Sequence, residues 1–293
     1  MLENLTTERR NKKTENLDEL STKEILRIMN EEDKTVPAAI EKELGKITEA
    51  IEIIKDKISR GGRLIYLGAG TSGRLGILDA VECVPTFNTT DEVLGIIAGG
   101  EKAFVKAVEG AEDSLTLAQE DLKKINFSRN DVIFGIAASG RTPYVIGALK
   151  YAESVGAKKI TLSCNKNAKI SKYADVAIEI DCGPEILTGS TRLKAGTAQK
   201  LVLNMVSTAT MIGLGKVYKN LMVDVKPTNK KLVERATGII AKVTGVTGEE
   251  AHKYLLEANK NVKVAITMIL TNCSYKEAKE KLGLAKGFVK KVK

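Results

Sequence analysis

The chain has 293 residues, 43% hydrophobic and 28% charged, enough to bury one large core and a smaller satellite, which excludes a disordered or fibrous protein. Its formal charge of +9 raises nucleic acid as a partner, but much of the excess sits late, at Lys286, Lys290, Lys291 and Lys293, with no aromatic platform, helix-turn-helix or zinc signature. These lysines read as a solvated helical face. No segment approaches the roughly 20 consecutive apolar residues of a membrane span, and residues 1–20 are a polar segment without the apolar centre of a signal peptide, so a cytoplasmic protein with neither nucleic acid nor membrane as partner is expected.

Ser21 is placed to cap a helix carrying Ile25, Leu26, Ile28 and Met29. A second helix after Val36-Pro37 sets Ile40, Leu44, Ile47, Ile51 and Ile54 on one stripe and stops at Gly61-Gly62. Both are expected to cover a sheet edge or a partner subunit. From Arg63 the pattern changes to short apolar runs ended by Gly or Ser, each followed by a longer amphipathic stretch. That alternation predicts parallel strands joined by helices, an α/β doubly wound sheet. The strands are expected at Leu64–Leu67, Val93–Ala98, Asp131–Ala137, Lys159–Ser163 and Val176–Ile180, with helices starting near Gly73, Lys102, Pro143 and Ser171. Leu193 to Leu214, rich in Ala, Thr, Leu and Val, predicts a helix buried on several sides. Beyond residue 226, short amphipathic helices at Lys230–Thr244, Gly248–Ala258, Val262–Leu270 and Tyr275–Leu282 predict a small all-α domain. The expected organisation is therefore 1–20, 21–226 and 227–293.

Cys83, Cys164, Cys182 and Cys273 are far apart and form no C-x-x-C pair, which argues against a disulfide framework or a zinc site. The lone histidine, His252, has no second imidazole to share a metal and is expected to be structural or solvated. The first strand ends in Gly68-Ala69-Gly70-Thr71-Ser72-Gly73-Arg74, formally a dinucleotide fingerprint. A ribose-binding acid is missing at the end of the next strand, which runs into Gly99-Gly100. Hydroxyls at Thr71 and Ser72, with the backbone N–H groups that Gly70 exposes, suit a phosphosugar better. The third strand ends in Ala138-Ser139-Gly140-Arg141-Thr142-Pro143, a monophosphate cradle of the same type with Pro in the first helical turn. Two such loops on adjacent parallel strands converge on one crevice. Thr188-Gly189-Ser190-Thr191-Arg192-Leu193-Lys194 leads into the buried helix, and Ser190 and Lys194 are candidates for the pocket rim.

The segments G-A-G-T-S-G-R, A-A-S-G-R-T-P-Y and T-G-S-T-R-L-K-A-G-T-A-Q-K-L, with N-E-E-D-K-T-V-P at 30–37, V-E-G-A-E-D at 108–113 and N-L-M-V-D-V at 220–225, together resemble the N-acetylmuramic acid 6-phosphate etherase family. The resemblance covers nearly the whole chain. It implies a sugar isomerase (SIS) fold with a five-stranded sheet and a homodimer. It also implies no redox or metal cofactor, and conversion of N-acetylmuramic acid 6-phosphate with water to N-acetylglucosamine 6-phosphate and D-lactate. It further implies two catalytic glutamates, here Glu82 as proton donor to lactate and Glu112 as base. Around Glu82 the family's Ser-Glu-Cys-Pro-Pro-Thr-Tyr is replaced by Val81-Glu82-Cys83-Val84-Pro85-Thr86-Phe87. By composition alone Glu112, beside Glu109 and Asp113, reads as a surface charge. Cleaving an ether next to an acidic C2 proton does require a base for that proton and an acid for the leaving oxygen. The competing reading is a non-catalytic sugar-phosphate-binding regulator similar to the glucokinase regulatory protein. Retention of both glutamates argues against it.

Overall fold

The structure, a computed structural model, describes residues 5–106 and 108–292; the first four residues of the polar N-terminal segment, and Lys293, lie outside the described residues. Apolar runs without polar alternation belong to strands covered on both faces. Five of them pair in parallel in the order β2-β1-β3-β4-β5: β1 Leu64–Gly68, β2 Val93–Ile97, β3 Val132–Ile136, β4 Lys158–Ser163 and β5 Val176–Glu179. Every residue of β1 and β3, at the centre, is buried, whereas the edge strand β2 is only partly so. The chain leaves β1 to one side for β2 and returns past it to β3, which makes the β1–β3 boundary the topological switch point.

Helices cover both faces. On one, α4 (Gly70–Phe87) lies so close that a Cβ on Gly76 would stand 2.9 Å from Tyr66 Cβ. On the other, α7 (Pro143–Ser154) brings Val145, Ala148 and Leu149 into a cluster with Ile65, Leu67 and Ile133. The N-terminal helices are α1 (Thr22–Asp33), opened by a capping box between Ser21 and Glu24, α2 (Thr35–Glu41) and α3 (Leu44–Ser59). The stripe expected on one helix is divided between α2 and α3, with Ile40 on the first and Ile47 and Ile54 on the second, all buried. Helix α3 packs on the edge strand β5, as the sheet-edge expectation required. Two expected helices are shorter than their sequence suggested. The one at Lys102 is a single turn, α5 (Lys102–Val105), ended by extended backbone at Lys106, and the crossover helix proper is α6 (Leu117–Lys124). The one near Ser171 is a 3-10 turn, Ile170–Tyr173.

The helix expected to be buried on several sides is α8, Lys194–Gly213, but it is buried along one side only, with Thr197, Lys200, Asn204, Met205, Thr208 and Ile212 exposed along the other. The last stretch forms α9 (Lys230–Thr244), α10 (Gly248–Glu257), α11 (Val262–Thr271) and α12 (Tyr275–Leu284), all near their expected bounds. Asn229 and Asn261 cap α9 and α11, and capping boxes open α10 and α12, so each short helix carries its own start signal. They close around Ile240, Leu255, Ala265, Ile266 and Leu282. Asp224 pairs with the largely buried Lys263 at 2.7 Å and ties the preceding segment to α11. The chain divides into two compact units, residues 1–80 with 92–206 and residues 81–91 with 207–293. Among the described residues no helix is long and apolar enough to cross a membrane.

Candidate active site

Gly68 of β1 pairs with Ile136 of β3, so the two hydroxyl-rich loops leave the sheet at the same level, on either side of the switch point. In open parallel sheets this is where ligands sit. The sequence placed both loops here, and the structure brings them together.

The β1 loop turns at Gly70, whose φ of +52° has open space around it. A Cβ on Gly73 would stand 2.7 Å from Gly68 O, so that position is closed to any side chain. Thr71 is half-buried, with its methyl against Gly196 at the start of α8. Ser72 is buried and its hydroxyl donates to Gln199 Oε1 at 3.0 Å. Gln199 itself is fully buried, and its Nε2 has no partner among the described residues. A buried hydroxyl engaged in this way fixes the loop on α8 rather than reaching outward.

The β3 loop turns at Gly140, φ +68°, where an added Cβ would meet Ala168 Cβ at 2.4 Å. Ser139, Arg141 and Thr142 are half-buried along it, and Pro143 opens α7 with Thr142 at the N-cap position. The Ala138 carbonyl accepts from Cys164 N at 2.9 Å and from Asn165 Nδ2 at 3.0 Å. Asn165, at the end of β4, is buried and is one of the residues that sequence reasoning missed.

At the third segment Ser190 is half-buried and its carbonyl accepts from Leu193 N. Lys194 is buried, and its ammonium pairs with Glu32 Oε2 at 2.7 Å. Glu32 also takes Lys13 at 2.8 Å and Asn11 Nδ2 at 3.1 Å. Burial works to raise the Glu32 pKa, but the hydrogen bonds and charges of Lys13 and Lys194 outweigh it and hold the carboxyl below its ordinary value. The N-terminus of α8 is occupied by Glu185, whose two oxygens accept from the backbone N–H of Lys194 and Ala195 at 2.9 Å each. Burial pushes the Glu185 pKa up against those donors. Glu32 falls in the quoted N-E-E-D segment and Gln199 in T-A-Q-K, so both lay in motifs without being singled out; for Asn165 and Glu185 the sequence carried no signal.

Glu112 is exposed on a 3-10 turn, Ala111–Asp113, that packs against α7, the helix begun by the β3 loop. The close passage of the following chain, with Leu115 O 2.1 Å from where a Gly147 Cβ would be, shows that α7 requires glycine there. Glu82 is exposed on α4, beyond Ala80, where that helix passes into the second compact unit. His252 is exposed on α10, its Nδ1 3.5 Å from Thr237 Oγ1. Among the described residues the four cysteines form no disulfide, and no group of three His, Cys, Asp or Glu is arranged to hold a metal ion.

Three family models match: the N-terminal SIS domain of glucokinase regulatory protein over residues 46–153, the SIS domain over 114–209, and the C-terminal lid domain of glucokinase regulatory protein over 219–264. Among solved structures, a phosphoheptose isomerase from Francisella tularensis superposes with a TM-score of 0.52 at 14% identity, over 66% of this chain and 99% of that one, which shows the shared fold. The N-acetylmuramic acid 6-phosphate etherase of Bacillus cereus is 65% identical over 292 residues, 99% of each chain, and that of Bacillus anthracis is 64% identical over the same span. At that identity and coverage, the chain belongs to the N-acetylmuramic acid 6-phosphate etherase family.

Proposed function

We propose that the protein is a carbon–oxygen lyase that cleaves the lactyl ether of N-acetylmuramic acid 6-phosphate with water, giving N-acetylglucosamine 6-phosphate and D-lactate. Full-length identity of 65% to an etherase is the observation that carries this reading. The switch-point crevice supports it, because two loops with glycine turns and half-buried hydroxyls suit one phosphomonoester. In this reading Gly70, Thr71, Ser139, Gly140, Arg141, Thr142 and Ser190 hold the sugar phosphate, while Ser72 and Lys194, whose side chains are taken by Gln199 and Glu32, support the rim from behind. No cofactor is called for.

The reaction runs as elimination followed by hydration. In the open-chain aldehyde the C2 proton is acidic; Glu112 removes it, the C3–O bond breaks, and Glu82 protonates the departing lactate oxygen. Water then adds to the C2=C3 double bond and restores a hydroxyl at C3. A carboxylate base and a carboxylic acid must differ in proton affinity at neutral pH, which requires different surroundings once substrate covers them. The exposure of both glutamates in the free protein is consistent with an environment completed by the substrate or by a second copy, and a cytoplasmic homodimer acting in cell wall recycling is part of this proposal.

Incubation with N-acetylmuramic acid 6-phosphate in water enriched in oxygen-18 tests it. Unlabelled lactate with label in N-acetylglucosamine 6-phosphate is the expected result. Label in lactate means attack at the lactyl carbon and overturns the roles given to Glu82 and Glu112. Removing either carboxyl, as Glu82→Gln or Glu112→Gln, is expected to lower kcat by about 100- to 10,000-fold.

A further inference from the structure

Residues 5–14 of the polar N-terminal segment have no part in the reading so far, yet four of them are packed rather than solvated. Thr6, Thr7, Asn11 and Thr14 are buried, an uncommon state for short polar residues unless each has a partner. The partners are specific. Thr14 Oγ1 donates to Ile186 O at 2.8 Å, and Asn11 Nδ2 donates to Glu32 and to Pro184 O. Thr7 meets Asn165 twice: its N–H donates to Asn165 Oδ1 at 3.4 Å, and its Oγ1 accepts from Asn165 Nδ2 at 3.0 Å. The same Nδ2 donates to Ala138 O, the first residue of the β3 loop.

That last bond sets the direction of a donor. In a trans peptide the C=O and the following N–H point opposite ways. Ala138 O is held on the β4 side by Cys164 N and Asn165 Nδ2. The Ser139 N–H is therefore turned to the other side of β3, where β1 and the crevice lie. A backbone N–H aimed into the crevice next to Gly140 is what an anionic oxygen needs.

We infer that residues 5–14 are a working part of the sugar-phosphate site, with Thr7 a positioning residue that acts through Asn165 to hold the Ser139 N–H toward the ligand. The inference rests on reading the crevice as a sugar-phosphate site and adds a residue far from any motif used to find it. Thr7 touches no reacting atom; its effect is on how well the phosphate is held. One-half of the tie is the hydroxyl, so serine in its place keeps the tie and valine removes it at nearly constant shape.

The test compares Thr7→Val and Thr7→Ser with the native chain. Affinity for N-acetylglucosamine 6-phosphate is measured by calorimetry, and kcat and KM are measured with N-acetylmuramic acid 6-phosphate. Thr7→Val is expected to raise both Kd and KM by about three- to tenfold, the worth of one buried hydrogen bond, while kcat changes by less than about twofold. Thr7→Ser is expected to restore both. Unchanged Kd and KM in folded Thr7→Val, or a loss that Thr7→Ser does not restore, overturns the inference. If the native chain binds the sugar phosphate but turns nothing over, the function proposal fails, and the Kd comparison still decides the role of Thr7. Should Thr7→Val not fold, hydrogen exchange on the native chain decides instead. Ligand is expected to slow exchange across residues 5–14 together with 137–142; protection of the loop with the arm unchanged contradicts the inference.

Discussion

The two loops beside the switch point are written in the same residue types and are held in opposite ways. In the β1 loop the side chain is tied and the turn is loose: Ser72 gives its hydroxyl to buried Gln199, while Gly70 turns in open space. In the β3 loop the backbone is tied and the side chains are left at the surface of the crevice: Asn165 and Cys164 fix the Ala138 carbonyl, Gly140 is wedged against Ala168, and Ser139 and Thr142 are half-buried. A serine in a glycine-rich loop is thus no guide by itself to whether it serves a ligand or the scaffold. What its hydroxyl already bonds decides the matter.

The β3 side depends on the N-terminal arm and its anchor, so the largest effect is expected from Glu32→Gln. That change strands Lys194, itself 1% exposed, and is expected to cost roughly 3–5 kcal/mol in denaturant unfolding, as loss of one partner of a buried pair does. The native pair also predicts a pH dependence. The Glu32 pKa is depressed in the fold, so its stabilisation is complete above the ordinary glutamate value of about 4.3 and is lost as pH falls through the depressed value. Glu185, with a raised pKa, has the opposite sign and works against this acid loss, so removing the Glu32 contribution in Glu32→Gln is expected to flatten the acid limb.

Glycine replacements contrast the loops directly. Gly140→Ala forces a methyl to 2.4 Å from Ala168 Cβ at φ +68° and is expected to cost roughly 3 kcal/mol from overpacking and backbone strain together. Gly70→Ala carries only the strain of φ +52° and is expected to cost about 1 kcal/mol. Equal costs in thermal unfolding would remove the distinction between the loops. The smallest contrast is between serines. Ser72→Ala orphans Gln199 and is expected to lower stability by about 1–2 kcal/mol, whereas Ser139→Ala is expected to show first in KM.

The sheet was legible because central strands buried on both faces leave no polar alternation, and each expected strand lies within two residues of its observed bounds. The C-terminal helices were legible as short amphipathic stretches, and the structure adds that Asn229, Thr247, Asn261 and Ser274 each cap a start. Helix lengths after β2 and β4 were not, since the first ends on extended backbone at Lys106 and the second at Ala174, and no Gly or Pro marks either stop. The loops of the site were visible as motifs. Their supports were not, because Asn165, Glu185 and Thr7 act through contacts made across 27, 9 or 158 residues of sequence that no local pattern encodes. Lys194 illustrates the limit well: a basic residue in a phosphate-like segment reads as a ligand until its partner, 162 residues away, is known.

The most direct test of the crevice is an amide NMR titration of the native chain with N-acetylglucosamine 6-phosphate, using unphosphorylated N-acetylglucosamine as the comparison. The backbone amides of Ser139 and Gly140 are expected to shift with the phosphorylated sugar and to stay nearly still with the unphosphorylated one, as a phosphate held by the β3 loop requires. Saturable binding with those two amides unmoved would place the phosphate elsewhere and contradict the account.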